Sequence, residues 1–170
     1  MANFHTIITI VHLIGVVVGA GAAFTSDALF FSFLRTRSFG DREIRMLKVG
    51  SRVVWLGMLI LITSGIVLFL FDPNRYLHSP KFIAKMTIVA VIIINGLIFH
   101  HVHMPRLMQG QLTRSLFISG GISMVSWISA IILGAMGRSP LSYPTIMGMY
   151  LLLLMIGISG ALITHRRVQE

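Results

Sequence analysis

The sequence predicts an all-α integral membrane protein, a polytopic bundle of about five transmembrane helices. Three observations carry that prediction. Of the 170 residues, 55% are hydrophobic and only 11% are charged, whereas a soluble domain carries about 25% charged residues. Five apolar stretches each reach the length of about 20 residues that a bilayer-spanning helix needs. Polar or helix-breaking residues separate them. Neither a low-complexity stretch nor an internal repeat divides the chain, so residues 1–170 read as one domain.

The first span runs from near Phe4 to Leu34. It is longer than one crossing requires and should tilt or project; it is also too long for the core of a cleavable signal. The second covers about Val49 to Phe71, the third Phe82 to His101, the fourth Leu116 to Met136 and the fifth Ile146 to Thr164. Asp72-Pro73-Asn74 reads as a turn. Ser79-Pro80 reads as the N-cap and first-turn pair of the third helix. Arg138 through Pro144 reads as a short loop.

Orientation follows from Lys and Arg, which concentrate on the cytoplasmic side of a membrane protein. Arg35, Arg37, Arg42, Arg45, Lys48 and Arg52 lie between the first two spans. Arg106 and Arg114 follow the third, and Arg166 and Arg167 follow the fifth. The opposite side holds Arg75, Lys81, Lys85 and Arg138. This places the N-terminus outside and the C-terminus in the cytoplasm, in a membrane such as the bacterial inner membrane. The formal net charge of +9 is then a matter of topology and anionic headgroups rather than of nucleic acid.

Small residues recur at spacings of three and four. Ser119, Ser123, Ser126, Ala130, Gly134 and Gly137 mark the fourth helix, and Gly15, Gly19, Ala22 and Ser26 the first. Such stripes let helix backbones approach closely in lipid; the alternative is a groove that admits a flat cofactor. His12 shares the face of Gly15 and Gly19, with His5 two turns before it.

Ionisable groups within spans are costly and point to function. Those here are His12, Asp27 and Lys85, with the polar Asn95. Lys81 and Lys85 can snorkel outward, and Asp27 can pair with an arginine of the basic loop. His100-His101-Val102-His103-Met104 closes the third helix, with Met108 beyond it, and His165 closes the fifth. By helical spacing His100 shares a face with Met104, and His103 with Lys85 and Gly96. Imidazole and thioether suit haem iron or copper. A six-coordinate haem needs two axial ligands at matching depth, a condition that His100 or His103 opposite His165 meets; His12 would serve a haem with one axial histidine or an unusual partner such as Lys85. Copper(I) would draw on softer ligands among the 11 methionines, of which Met104 and Met108 lie close to histidines in sequence.

His12-Leu13-Ile14-Gly15, Trp55 through Ser64-Gly65, Lys85-Met86-Thr87-Ile88, Asn95-Gly96 and Met104-Pro105-Arg106-Leu107 occur in an order that resembles the superfamily of CopD-type copper-resistance membrane domains and HemJ-type protoporphyrinogen oxidases. The resemblance covers about the first two thirds of the chain. It implies a helical bundle that handles haem, porphyrin or copper, with His12 as the first-helix histidine and Lys85 as the third-helix lysine. The fifth helix and the wide separation of Lys85 from His100 depart from the oxidase pattern.

These readings lead to a b-type haem-binding protein of membrane electron transfer, or a membrane subunit of a redox complex. The haem site would draw on His12, His100, His103, His165, Lys85 and the Gly15/Gly19 face, with those four histidines as the candidate iron ligands. Any catalysis would be that of an oxidoreductase, porphyrinogen oxidation included. The alternatives are a copper or proton permease and a cofactor-free accessory subunit. Expected partners are lipid, and a larger complex or a second copy through the small-residue faces. Cysteine is absent, which excludes disulfides, thiolate metal sites and cysteine nucleophiles. No phosphate loop, Gly-x-Ser-x-Gly elbow or HExxH motif occurs.

Overall fold

The computed structural model describes residues 2–36, 40–137 and 140–169. Arg37, Arg138, Ser139 and the side chain of Arg35 lie outside the described residues. The described chain is helical and has no strand. Five helices are long and apolar enough to cross a membrane. The elements are α1 (Ala2–Thr36), α2 (Asp41–Phe71), α3 (Pro73–Leu77), α4 (Pro80–Ile98), a π turn (Phe99–His103), α5 (Met104–Met108), α6 (Arg114–Ala135) and α7 (Tyr143–Gln169).

All five expected spans are present, several longer than their apolar cores. α2 begins at Asp41 rather than near Val49, because its charged first turns are good helix formers: Asp41 and Glu43 occupy the end that favours carboxylates. The Glu43 carboxylate also accepts a hydrogen bond from the Gly40 N–H at 3.0 Å. The expected turn at Asp72-Pro73-Asn74 is a short helix instead. Asp72 caps it, accepting from the Arg75 N–H at 3.2 Å, and Pro73 takes a first-turn position where its missing N–H costs nothing. Ser79 caps α4 as its sequence predicts, accepting from the Phe82 N–H at 3.3 Å.

The chain forms two compact units, one of residues 1–38 and 45–78, the other of residues 39–44 and 79–170. The first unit is an antiparallel pair of long helices, α1 and α2. Its register is legible in three close approaches: Ser26 meets Gly50, Gly19 meets Gly57, and His12 meets Ser64. Each helix advances seven residues between contacts, two turns, so one face of each stays against the other. The glycines are what let the backbones touch. A methyl on Gly57 would collide with the backbone of Gly19, and one on Gly15 would lie 3.0 Å from the Leu61 nitrogen.

The second unit packs α4, α6 and α7 together. Gly121 and Gly157 bring α6 and α7 close, since a methyl on Gly121 would sit 2.9 Å from the Gly157 carbonyl oxygen. Asn95 and Ser119 tie α4 to α6 by a reciprocal pair: the Asn95 amide donates to the Ser119 carbonyl at 3.0 Å, and the Ser119 hydroxyl donates to Asn95 Oδ1 at 2.9 Å. Tyr150 of α7 donates to Ser126 Oγ at 2.8 Å, because the Ser126 hydrogen is directed to the Ile122 carbonyl. Many large apolar side chains, Val17 and Leu70 among them, face outward, as on a helix long and apolar enough to cross a membrane.

Lys81 has a structural duty. Its ammonium donates to the carbonyls of Met136 and Gly137, just past the C-terminal end of α6. These carbonyls lie where a helix leaves acceptors unsatisfied and where its dipole favours a cation. Replacing Lys81 with Met should lower stability by about 1 kcal/mol, read as a lower unfolding temperature in detergent.

Candidate functional site

The third apolar span is interrupted. α4 passes into a π turn in which the Met104 N–H bonds to the Phe99 carbonyl, five residues back. Pro105 accounts for it: proline offers no N–H to the His101 carbonyl, and its ring would crowd that oxygen in a regular helix. The extra residue turns the rest of the span by about 100°. In an unbroken helix His103 would stand about 80° from Asn95 around the axis; with the insertion it falls within about 20° of it. His103, Met104 and Leu107 therefore continue the buried stripe of Ala84, Ile88, Ile92 and Asn95.

This corrects two sequence-based expectations about helix faces. His100 and Met104 do not share an environment: Met104 is buried and His100 is exposed. His103 lies with Asn95 rather than with Lys85 and Gly96. Of the three clustered histidines only His103 turns inward, with 3% of its surface exposed. Its ring packs edge-on to Phe99 at 6.3 Å. Its Nδ1 is buried and has no hydrogen-bond partner among the described residues. His100 and His101 pack against each other at 5.0 Å. His165 is also buried, its ring 4.9 Å from that of Phe117.

Lys85 lies beside α6, and a methyl on Gly134 would be 3.7 Å from its Nζ. Asp27 keeps one carboxylate oxygen, Oδ2, buried with no hydrogen-bond partner among the described residues; the Arg35 side chain and Arg37 of the basic loop lie outside those residues. On α2 the cations Arg45, Lys48 and Arg52 stand on the side of the helix away from the Gly50–Gly57–Ser64 seam.

His12 has the most fully built surroundings. Its Nδ1 lies 2.9 Å from Ser64 Oγ. The Ser64 hydroxyl sits 2.5 Å from the Ile60 carbonyl, one turn back on α2. A hydroxyl has one hydrogen, and here it goes to that carbonyl. The His12–Ser64 bond is therefore donated by Nδ1–H, and Nε2 carries the ring's lone pair. Gly65 lies alongside, where a methyl would be 3.4 Å from His12 Cε1. Gly15 and Gly19, expected to make room for a cofactor, form the contact with α2 on this same face. Ser64 went unnoticed in the sequence as a partner of His12. The signal that could have found it is the seven-residue spacing of Gly50, Gly57 and Ser64, which matches that of His12, Gly19 and Ser26.

Among the described residues, no group of three or more His, Asp or Glu side chains converges into a metal-binding cluster. A haem asks for less, one or two side chains from the protein. No family model, curated protein or solved structure matches this chain.

Proposed function

We propose that this chain is a b-type haem-binding membrane protein, serving electron transfer itself or as the membrane subunit of a redox complex. The observation that supports this reading is the His12–Ser64 pair. Metal-ligating histidines commonly donate their second ring N–H to a neighbouring acceptor, which fixes tautomer and ring orientation. Ser64 does this for Nδ1, so Nε2 is the nitrogen suited to iron. A haem bound there would supply one-electron redox chemistry within the membrane. The protein's own part is to hold the imidazole rigidly: Ser64 anchors the ring, Ile60 anchors Ser64, and the glycines of α1 and α2 keep the two helices in register. His103 and His165 are the further candidate ligands, both turned inward in the second unit. The resemblance to CopD-type and HemJ-type proteins supports the same reading, with porphyrinogen oxidation as its narrower form. The charge bias supports an outside N-terminus and a cytoplasmic C-terminus in a bacterial inner membrane.

A second reading, a copper or proton permease, draws on the π turn within the third span. Single π turns within helices are frequent at functional sites, and the one here sets buried His103 beside buried Met104.

The deciding experiment is an absorption spectrum of the detergent-purified protein from cells fed with haem precursor, recorded oxidised and after dithionite. A Soret band with sharpened α and β bands on reduction is the expected result. A colourless protein would overturn the proposal, and bound copper by metal analysis would then favour the permease.

A further inference from the structure

The face of α2 turned away from α1 changes character along its length. The seam with α1 is set by Gly50, Gly57 and Ser64. Roughly opposite it, within an arc of about 80°, stand Arg45, Lys48 and Arg52, all exposed. The same arc continues with Leu56, Leu59 and Ile66, exposed at 55%, 60% and 55%. Three cations thus occupy about 10 Å of the helix, followed by about 15 Å over which exposed aliphatic side chains recur.

That order is the profile of a glycerophospholipid, a phosphate at one end and an acyl chain running from it. The aliphatic stretch matches the depth of one leaflet's hydrocarbon, about 15 Å. Two of the cations are arginines, whose planar fork suits phosphate oxygens. One carboxylate, Asp41, lies on the same side a turn before Arg45, in the first turn of α2, where the helix dipole stabilises it; it leaves the stripe with a positive excess.

We infer that this face of α2 is a binding site for an anionic phospholipid, with the headgroup phosphate held by Arg45, Lys48 and Arg52 and an acyl chain laid along Leu56, Leu59 and Ile66. The site needs neither haem nor any redox activity. It gives the basic stripe a defined ligand rather than a general attraction to the membrane surface. Charge complementarity selects the occupant: a zwitterionic lipid offers its phosphate together with a cation that the stripe repels.

The experiment is native mass spectrometry of the full-length detergent-purified protein titrated separately with phosphatidylglycerol and phosphatidylcholine. The expected result is preferential retention of phosphatidylglycerol, its affinity weakened about five-fold for each cation removed. The triple variant Arg45→Gln/Lys48→Gln/Arg52→Gln should lose the preference and bind both lipids alike. A control triple variant, Arg106→Gln/Arg114→Gln/Arg166→Gln, carries the same change of charge elsewhere and should keep it. Circular dichroism of each variant checks that the helices are intact; should the triple variant fail that check, raised salt acting on the wild-type protein takes its place and should abolish the preference. Equal retention of the two lipids by the wild-type protein would overturn the assignment, as would an unchanged preference in the triple variant. A protein adduct or second copy lost specifically in the triple variant would also overturn it, giving the face to that partner.

Discussion

Replacing Gly57 with leucine should separate α1 from α2 and lower stability by about 3 kcal/mol or more. The reason is backbone against backbone. A Cβ at Gly57 would collide with the main chain of Gly19, and its next nearest neighbour is the Gly15 carbonyl at 3.1 Å. A flexible side chain could swing aside, but a helix backbone cannot, so the two helices must part along the whole seam. Lipid does not reward the separated helices with a hydrophobic penalty to avoid; close van der Waals packing is what holds them, and this substitution removes it. The matched control is Gly21→Leu, on the same helix pair but with nothing within 4 Å of its added Cβ. Leucine there should be neutral or stabilising, because a helical glycine costs about 0.5–1 kcal/mol against a residue with a side chain. Thermal unfolding in detergent reads the contrast: a fall on the order of 10 °C for Gly57→Leu and none for Gly21→Leu. Equal midpoints for the two variants would show that this seam does not hold the first unit together.

The seam shows what could be read in the sequence and what could not. The spans were legible because apolar length is a one-dimensional property, and lipid imposes it strictly. Their ends were not, because charged residues stop an apolar run without stopping a helix; α2 starts at Asp41 for that reason. The glycine stripe of α1 was visible, but its partner stripe on α2 has meaning only once the two helices are set antiparallel, and periodicity within one helix cannot choose a partner. That is why His12 stood out in the sequence while Ser64 did not. The histidine cluster failed differently. Spacing arguments assume an unbroken helix, and one inserted residue at the π turn moved His103 from the face of Lys85 to that of Asn95. Pro105 is the available clue, but it stands past the end of the apolar run, which stops near His101.

His12→Ala should leave the purified protein without its haem absorption, while Ser64→Ala should keep the colour and weaken the binding. The two residues stand in different relations to the proposed iron: His12 would provide the ligating Nε2, and Ser64 would act only through His12, whose Nδ1 lies 2.9 Å from its hydroxyl. Losing a sole axial ligand on this unit removes the bond itself. Losing the residue that orients a ligand costs about 10–100-fold in affinity, because the ring is freed to rotate and to exchange tautomers. Haem titration of the apo-protein separates the two, and Ser64→Thr, which retains a hydroxyl, should recover the affinity that Ser64→Ala loses. Parallel replacement of His103 and of His165, which lie in the second unit, should leave the spectrum of a haem on His12 unchanged. The Ser64 hydroxyl is itself bonded to the Ile60 carbonyl, so the variants must also be compared by unfolding temperature. A loss of haem by His12→Ala at an unchanged unfolding temperature assigns the ligand. Full retention of haem by His12→Ala would move the site to the inward-facing histidines of the second unit.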